Sequence, residues 1–332
     1  MSRILDSLAI PVLPAPMAGG PTTPQVVNAA AAAGSLGTLA WGTSSVAAAQ
    51  AQAEELTTDF FGINLFAKQP ELDSHGVEVA RNLAAAESVE LKPADYSNGW
   101  NEKIQLALSM SPRPRVVWSM FGTFTAAEVK TLHAAGIEAW TTVTNEHEAR
   151  AAAAVGVDAL CVQGPEAGGH RGVWNPTAEP DKRPLPELVD AISKLVTLPL
   201  IAAGGVRSAE EVQEALAWPQ VVAVSCGSSF VLTEEAGTSE LNRQRIQKVS
   251  GGEEASISTR AFSGRYARGL KTTYTEAHPN SPAIYPYLNQ IFAPRRARGD
   301  EDVAYCLVGF EAQRIFGGTV AGVLRRLWEK QK

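Results

Sequence analysis

The sequence predicts an α/β protein, a (β/α)8 TIM barrel with an insertion after the eighth strand over the mouth of the barrel. Short apolar runs alternate with segments of helical periodicity, which is the pattern of parallel βαβ units. The chain has 332 residues, and a barrel takes roughly 250, so about 80 remain for insertions. Several helical segments end in small residues and Gly before the next apolar run, as at Ala134–Ile137, and Gly suits a helix C-terminus.

Each strand is predicted from an apolar run that ends in Gly, Pro or a polar residue, and the Ala-, Glu- and Leu-rich segments between the runs are predicted as helices. The predicted strands are Val12–Ala15, Leu36–Leu39, Gly62–Leu65, Val116–Met120, Glu138–Thr142, Ala159–Gln163, Pro199–Ala203 and Val221–Ser225. The predicted helices include Pro24–Ala33, Ala126–Ala135, Glu146–Ala154, Leu185–Leu195 and Ala209–Ala217.

A doubly wound open sheet is the rival architecture. It would need a GxGxxG motif after the first strand, and none follows Val12–Ala15. Residues 1–230 and about 296–332 are predicted to form the barrel, whose outer ring the partly helical end of the chain closes. Residues 231–295 are predicted as a cap that contributes to the substrate pocket. Residues 70–112 read as a long, poorly patterned connection between the third and fourth strands.

Composition and charge exclude several classes of protein. Lys and Arg number 29 against 35 Asp and Glu, a formal charge of -6, which argues against nucleic-acid binding but not against a small anionic substrate. No apolar run reaches about 18 residues, so no membrane span is expected, and the N-terminus lacks the apolar run of a signal peptide. The cysteines Cys161, Cys226 and Cys306 lie far apart, which favours a reducing cytoplasm and provides no metal-ligand spacing.

The chemistry of such a barrel is expected where the strands end, at their C-terminal side. The sixth strand is followed by Gln163–Gly172, which places four glycines around His170. Glycines let the backbone approach a ligand closely, and the pKa range of histidine suits proton transfer or a hydrogen bond to an anion. We therefore predict that His170 is catalytic.

The remaining strand ends predict a flavin mononucleotide site. Gly204-Gly205 follows the seventh strand and Ser225–Ser228 ends the eighth, which is where these barrels usually bind phosphate. The amides of Asn64 and Gln163 offer donor and acceptor to a heterocycle edge, although Asn64 could instead be a turn residue. No metal cluster, nucleophile elbow or P-loop accompanies them, so a phosphate grip, ring contacts and one histidine indicate FMN.

Four segments resemble signature motifs of the class I nitronate monooxygenases, formerly called 2-nitropropane dioxygenases, and EAGGHRG is the most specific stretch. The resemblance runs from about Ile10 to Phe292 and implies FMN-dependent oxidation of an alkyl nitronate, such as propionate 3-nitronate, by O2 to a carbonyl compound and nitrite. The segments are APMAGG (15–20), FGINLF (61–66), QGPEAGGHRG (163–172) and IAAGG (201–205), with RAFSGR (260–265) and Tyr285-Pro286 in the insertion. The resemblance implies that His170 is catalytic and that FMN contacts Ala15, Pro16, Met17, Asn64, Gln163, Gly168, Gly204, Gly205, Ser225, Cys226, Gly227 and Ser228.

One departure concerns the segment after the eighth strand, where Ser225-Cys226 replaces the family's Gln-Met and changes residues near the flavin ring and substrate. Two alternatives stay open at this point. One is an NAD(P)H-dependent FMN reductase of the enoyl-acyl-carrier-protein reductase or quinone reductase type, and the other is a non-enzymatic binder of flavin or another phosphate ligand. The sequence leaves open the physiological nitronate, the use of neutral nitroalkanes and the oligomeric state.

Overall fold

Eight parallel strands form the central sheet of the computed structural model, which describes residues 2–249 and 256–329. Their order is β1-β9-β8-β6-β5-β4-β3-β2, and β1 also contacts β2, so the sheet curls into a nearly closed barrel. The predicted TIM barrel is confirmed. The barrel strands are β1 (Val12–Pro14), β2 (Gly37–Ala40), β3 (Phe61–Phe66), β4 (Val116–Met120), β5 (Glu138–Val143), β6 (Ala159–Gln163), β8 (Leu200–Ala203) and β9 (Val221–Cys226); β7 (Gly169–His170), β10 (Ser256–Thr259) and β11 (Ala267–Leu270) form a second sheet.

Helices follow the strands and begin at polar caps. Thr125 and Ser208 each form a capping box with a glutamate three residues later, which satisfies the first free backbone N–H groups of the helix. Several helices also bury an apolar stripe, as α8 does with Leu185, Leu188, Val189 and Ile192. The helices are α1 (Arg3–Asp6), α2 (Pro24–Ala32), α3 (Val46–Glu54), α4 (Ser74–Ala86), α5 (Trp100–Ser109), α6 (Ala126–Ala134), α7 (Glu146–Ala154), α8 (Leu185–Ser193), α9 (Ala209–Leu216), α10 (Glu240–Gln247), α11 (Thr273–Ala277), α12 (Tyr287–Ala297) and α13 (Val320–Trp328).

The N-terminal end of the barrel is closed by the first residues of the chain. Leu5 of α1 packs into a buried cluster that includes Trp118 and Trp140. The buried Glu138 carboxylate accepts hydrogen bonds from Ser2 Oγ (2.5 Å), Ile4 N (3.2 Å) and Trp140 Nε1 (3.0 Å). Because this end of the barrel is filled, an open cavity can form only at the opposite end, where the C-terminal ends of the strands lie.

The prediction of a poorly patterned connection at residues 70–112 is wrong, because this segment contains α4 and α5. The buried face of α4 consists of the alanines Ala80 and Ala84, which give only a weak hydrophobic signal in the sequence. These alanines pack with Leu288 and Phe292 of α12 in a separate apolar cluster. The connection after β3 and the segment after β9 thus share one core.

The segment after β9 pairs with β7, the short strand in the loop that follows β6. Strand β11 pairs with β10 and, on its other side, with β7, where Ala267 lies opposite His170. At the end of the chain, α13 packs against α2 and α9 and so completes the outer layer of helices. Residues 250–255 of the predicted cap, and residues 1 and 330–332 of the predicted barrel, lie outside the described residues. Among those described, no helix has the length and apolar character needed to cross a membrane.

Candidate functional site

A cavity of about 600 Å³ lies at the C-terminal ends of the barrel strands. This volume falls within the roughly 300–1,000 Å³ of typical small-molecule sites. The structure brings every site residue predicted from the sequence to its wall. These residues are Ala15, Pro16, Met17, Asn64, Gln163, Gly168, His170, Gly204, Gly205, Ser225, Cys226, Gly227 and Ser228.

Glycine is required at the end of β8 by both conformation and space. Gly204 and Gly205 have φ values of +126° and +76°, a region that side chains rarely adopt. A Cβ on Gly204 would lie 3.0 Å from the backbone nitrogen of Ala167. The two glycines thus bring bare backbone to the cavity just before α9, whose N-terminus favours anions.

Arg207 adds a cation beside these glycines that the sequence reading missed. It lines the cavity and is 6% exposed. One terminal nitrogen donates to the carbonyl of Phe310, whereas Nε is buried without a partner among the described residues. Burial lowers the pKa of Arg207, but an arginine side chain stays protonated in proteins. Its charge suits an anion in the cavity.

The two predicted carboxamide side chains, Asn64 and Gln163, already form some of their hydrogen bonds within the protein. Asn64 Nδ2 donates to the Trp118 carbonyl at 2.9 Å. Gln163 Nε2 donates to the His170 carbonyl at 2.9 Å, and its Oε1 accepts from Gly172 N at 2.7 Å. Gln163 therefore holds the backbone between His170 and Gly172. Each amide has a second N–H, and the Asn64 oxygen remains available, so that a ring edge can still be bound.

His170 lies on the two-residue strand β7 rather than in the free loop expected from the sequence, because it pairs with β11. Its Nε2 is 2.8 Å from Ser263 Oγ and 3.4 Å from the Tyr305 hydroxyl. The Phe121 and Tyr285 rings meet the imidazole edge to face, at centroid distances of 5.8 and 5.5 Å. Contacts from the barrel and from the segment after β9 thus fix the position of the imidazole.

Burial and the nearby Arg265 charge lower the pKa of His170 to about 3. The imidazole is therefore neutral at pH 7 when the cavity contains no anion. Arg265 is fully buried, lies 3.9 Å from the centroid of the Phe121 ring and donates to Gln69 Oε1 at 2.5 Å. An anion in the cavity would favour the protonated imidazole and raise the pKa of His170, because opposite charges stabilise each other.

Arg296 of α12 is the second cavity cation that the sequence reading missed. It donates to Asn289 Oδ1 (3.1 Å), to the Phe262 carbonyl (2.7 Å) and to the Val303 carbonyl (2.9 Å). Its guanidinium lies 4.6 Å from the centroid of the Tyr305 ring, and burial lowers its pKa to about 10. All of these partners are neutral, so within the described residues its charge has no carboxylate partner.

The cavity carries more positive than negative charge although the chain as a whole carries a formal charge of -6. Arg207 and Arg296 line it, against one carboxylate, Glu166, and Arg265 lies against the Phe121 ring. Each of these arginines donates to neutral oxygens. Such a field concentrates small anions. No cluster of three or more metal-binding side chains occurs in the described part of the chain.

Comparison with known proteins identifies the family. The family model for nitronate monooxygenase matches residues 2–326. The chain belongs to the nitronate monooxygenase family. It is 34% identical to the nitronate monooxygenase of Paraburkholderia phytofirmans over 83% of this chain and 78% of that protein. It is 30% identical to the nitronate monooxygenase of Pseudomonas aeruginosa over 96% and 95% of the two chains. The predicted resemblance is confirmed, and the protein is an enzyme of this family.

Solved structures agree on the fold. A nitroalkane oxidase from Streptomyces ansochromogenes superimposes with a TM-score of 0.89 and 30% identity, covering 98% of this chain and 96% of that one. FabK from Thermotoga maritima gives a TM-score of 0.71 at 23% identity, covering 98% and 94% of the two chains. The second likeness concerns the barrel fold alone.

Proposed function

We propose that the protein uses bound FMN to oxidise alkyl nitronates, such as propionate 3-nitronate, with O2 to a carbonyl compound and nitrite. Membership of the nitronate monooxygenase family supports nitronate oxidation in general. The observation that carries the finer proposal is one cavity, lined by His170, by two arginines without carboxylate partners and by the glycine loops after β8 and β9. The buried free cysteines fit a reducing compartment, so we place the protein in the cytoplasm.

The residues present fit FMN. Gly204 and Gly205 line the cavity with positive φ values just before α9, and Arg207 adds a positive charge to the same wall. Asn64 and Gln163 keep amide hydrogens for the edge of a heterocycle. When bound, FMN would supply the acceptor for the substrate's electrons and their route to O2.

The protein's own groups would bind and orient the anionic substrate. A nitronate already carries the charge that a nitroalkane gains only after losing a proton. Arg296 and Arg265 supply positive potential, and burial raises the pKa values of Tyr285 and Tyr305, which therefore remain hydrogen-bond donors at neutral pH. The Phe121 and Tyr285 rings contact His170 edge to face beside these groups.

His170 would either stabilise the nitronate charge or take the carbon-bound proton of a neutral nitroalkane. General-base assistance is worth about 10²–10⁴-fold in rate, and a ring with a pKa of about 3 is a weak base. We therefore propose that preformed nitronates are better substrates than nitroalkanes, and that His170→Asn keeps measurable nitronate activity.

Turnover of purified protein tests this proposal. Oxygen uptake and nitrite release are measured with propionate 3-nitronate, ethylnitronate and nitroethane, and the flavin released on denaturation is identified. We expect FMN, and nitrite from both nitronates. Release of FAD would contradict the assignment of FMN as the cofactor. Oxygen uptake with NADH but with neither nitronate would support the reductase alternative.

A further inference from the structure

Ser263 contacts His170 from outside the cavity and is fully buried. Its Oγ lies 2.8 Å from His170 Nε2 and 3.3 Å from both the backbone nitrogen and the carbonyl oxygen of Arg265. A hydroxyl has one hydrogen and accepts at its lone pairs. The Arg265 nitrogen can only donate, so Ser263 accepts there and has a single hydrogen to give elsewhere.

That hydrogen has three possible acceptors, His170 Nε2, the Arg265 carbonyl and the Tyr305 hydroxyl oxygen. The 2.8 Å contact to Nε2 has the length of a good hydrogen bond, whereas the 3.3 Å contact to the Arg265 carbonyl is long for a hydroxyl donor. The Tyr305 hydroxyl lies 3.4 Å from the same nitrogen, which is too long to assign a donor. The short contact from Ser263 therefore favours Nε2 as the acceptor, which leaves the proton of the neutral ring on Nδ1.

The other ring nitrogen is the one that a ligand can reach. Nδ1 makes no hydrogen bond among the described residues, and it is not one of their enclosed polar atoms without a partner. His170 lines the cavity, so Nδ1 has access to its contents. A substrate anion would thus meet an N–H group rather than a lone pair.

We infer that Ser263 is a positioning residue that fixes the Nδ1–H tautomer of His170 and presents this hydrogen to the anion in the cavity. His170 then acts on a preformed nitronate as a hydrogen-bond donor, and its Nδ1 has no lone pair with which to remove a carbon-bound proton. The assignment of this role to catalysis rests on the proposed nitronate oxidation. The tautomer itself does not.

Nitrogen NMR tests the tautomer without any turnover. The holoprotein is labelled with ¹⁵N-histidine, and the His170 signals are those that disappear in His170→Asn. At pH 7 we expect the neutral pattern with Nδ1 protonated and Nε2 unprotonated. A wild-type ring protonated on Nε2, or on both nitrogens, would overturn the inference whether or not the Ser263 variants fold. In Ser263→Ala the signals should move towards the Nε2–H form, and an unchanged pattern would also overturn it.

A double-mutant cycle tests whether Ser263 acts through His170. Ser263→Ala should lower kcat/KM for ethylnitronate by about tenfold, the value of one hydrogen bond to a charged system. In the His170→Asn background the same change should have no further effect, and an equal loss in both backgrounds would refute the positioning role. Ser281→Ala is the matched control, because Ser281 is buried in the same segment and donates to the His278 carbonyl. Failure of the wild type to oxidise any nitronate would reject the proposed function and leave the NMR result standing.

Discussion

Replacing Arg296 with Gln should lower kcat/KM more for nitronates that carry a carboxylate than for nitronates with a plain alkyl tail. Each terminal nitrogen of Arg296 has two hydrogens, and the observed bonds to Asn289 and Phe262 use one on each. The other two hydrogens are available to an anion in the cavity. The carboxylate of propionate 3-nitronate gives this charge a partner that a plain alkyl tail lacks.

The magnitude follows from the loss of a charge-assisted hydrogen bond. Such a bond contributes about 1.5–3 kcal/mol, which corresponds to about 10- to 150-fold in kcat/KM because 1.4 kcal/mol is a factor of ten. The nitronate group itself is common to both substrates, so its share of the loss cancels in their ratio. The ratio of the two specificity constants is therefore the informative quantity.

The assay compares oxygen uptake with propionate 3-nitronate and with 1-propylnitronate, which have the same number of carbons. Arg295→Gln is the matched control, because Arg295 precedes Arg296 on α12 but pairs with Asp300 at 2.7 Å and Glu87 at 3.2 Å. The control should leave the ratio unchanged. Equal losses on both substrates in Arg296→Gln, with a melting temperature near that of the wild type, would refute the reasoning.

Three further changes test other parts of the account. Gly205→Asp should abolish FMN binding and leave the circular dichroism spectrum unchanged, since a carboxylate would repel the phosphate; normal flavin content in the folded variant would place the phosphate elsewhere. Cys226→Met should keep the flavin but shift the substrate preference, because Cys226 lines the cavity; an identical profile would reduce Cys226 to a packing role. Lys103 is buried against backbone carbonyls and burial lowers its pKa from 10.5 to about 8, so the folded state binds fewer protons than the unfolded state between these values. The free energy of unfolding of the wild type, relative to Lys103→Met, should therefore rise by about 3 kcal/mol from pH 8 to above pH 10.5 in urea titrations, and a constant difference would contradict the low pKa.

Local sequence patterns were sufficient to predict the strands of the barrel. The runs Val116–Met120 and Ala159–Gln163 are predicted with the bounds that the structure has, because each buried run begins after a charged residue and a glycine follows within two residues of its end. Helices α4 and α5 were missed. The buried face of α4 is alanine, but α7 also buries Ala149 and Ala152 and was predicted with its observed bounds. A buried face of small residues therefore weakens the sequence signal of a helix without concealing it.

The site was predictable where it follows barrel strands and not where it depends on distant contacts. The glycine loops and His170 stand at strand ends, a position that the fold class marks in advance. Arg207 stands two residues after Gly205 and could have been found by the same reasoning. Ser263 and Arg296 reach the site only through the packing of the cap, and nothing local in the sequence reports their distance to His170.

The most direct test of the central claim is an anaerobic titration of the purified holoprotein, followed by flavin absorbance. One portion receives propionate 3-nitronate and another receives NADH. The account predicts that the nitronate changes the flavin spectrum at once and that NADH leaves it unchanged. A spectrum that NADH bleaches and the nitronate does not affect would contradict the account and favour the reductase alternative.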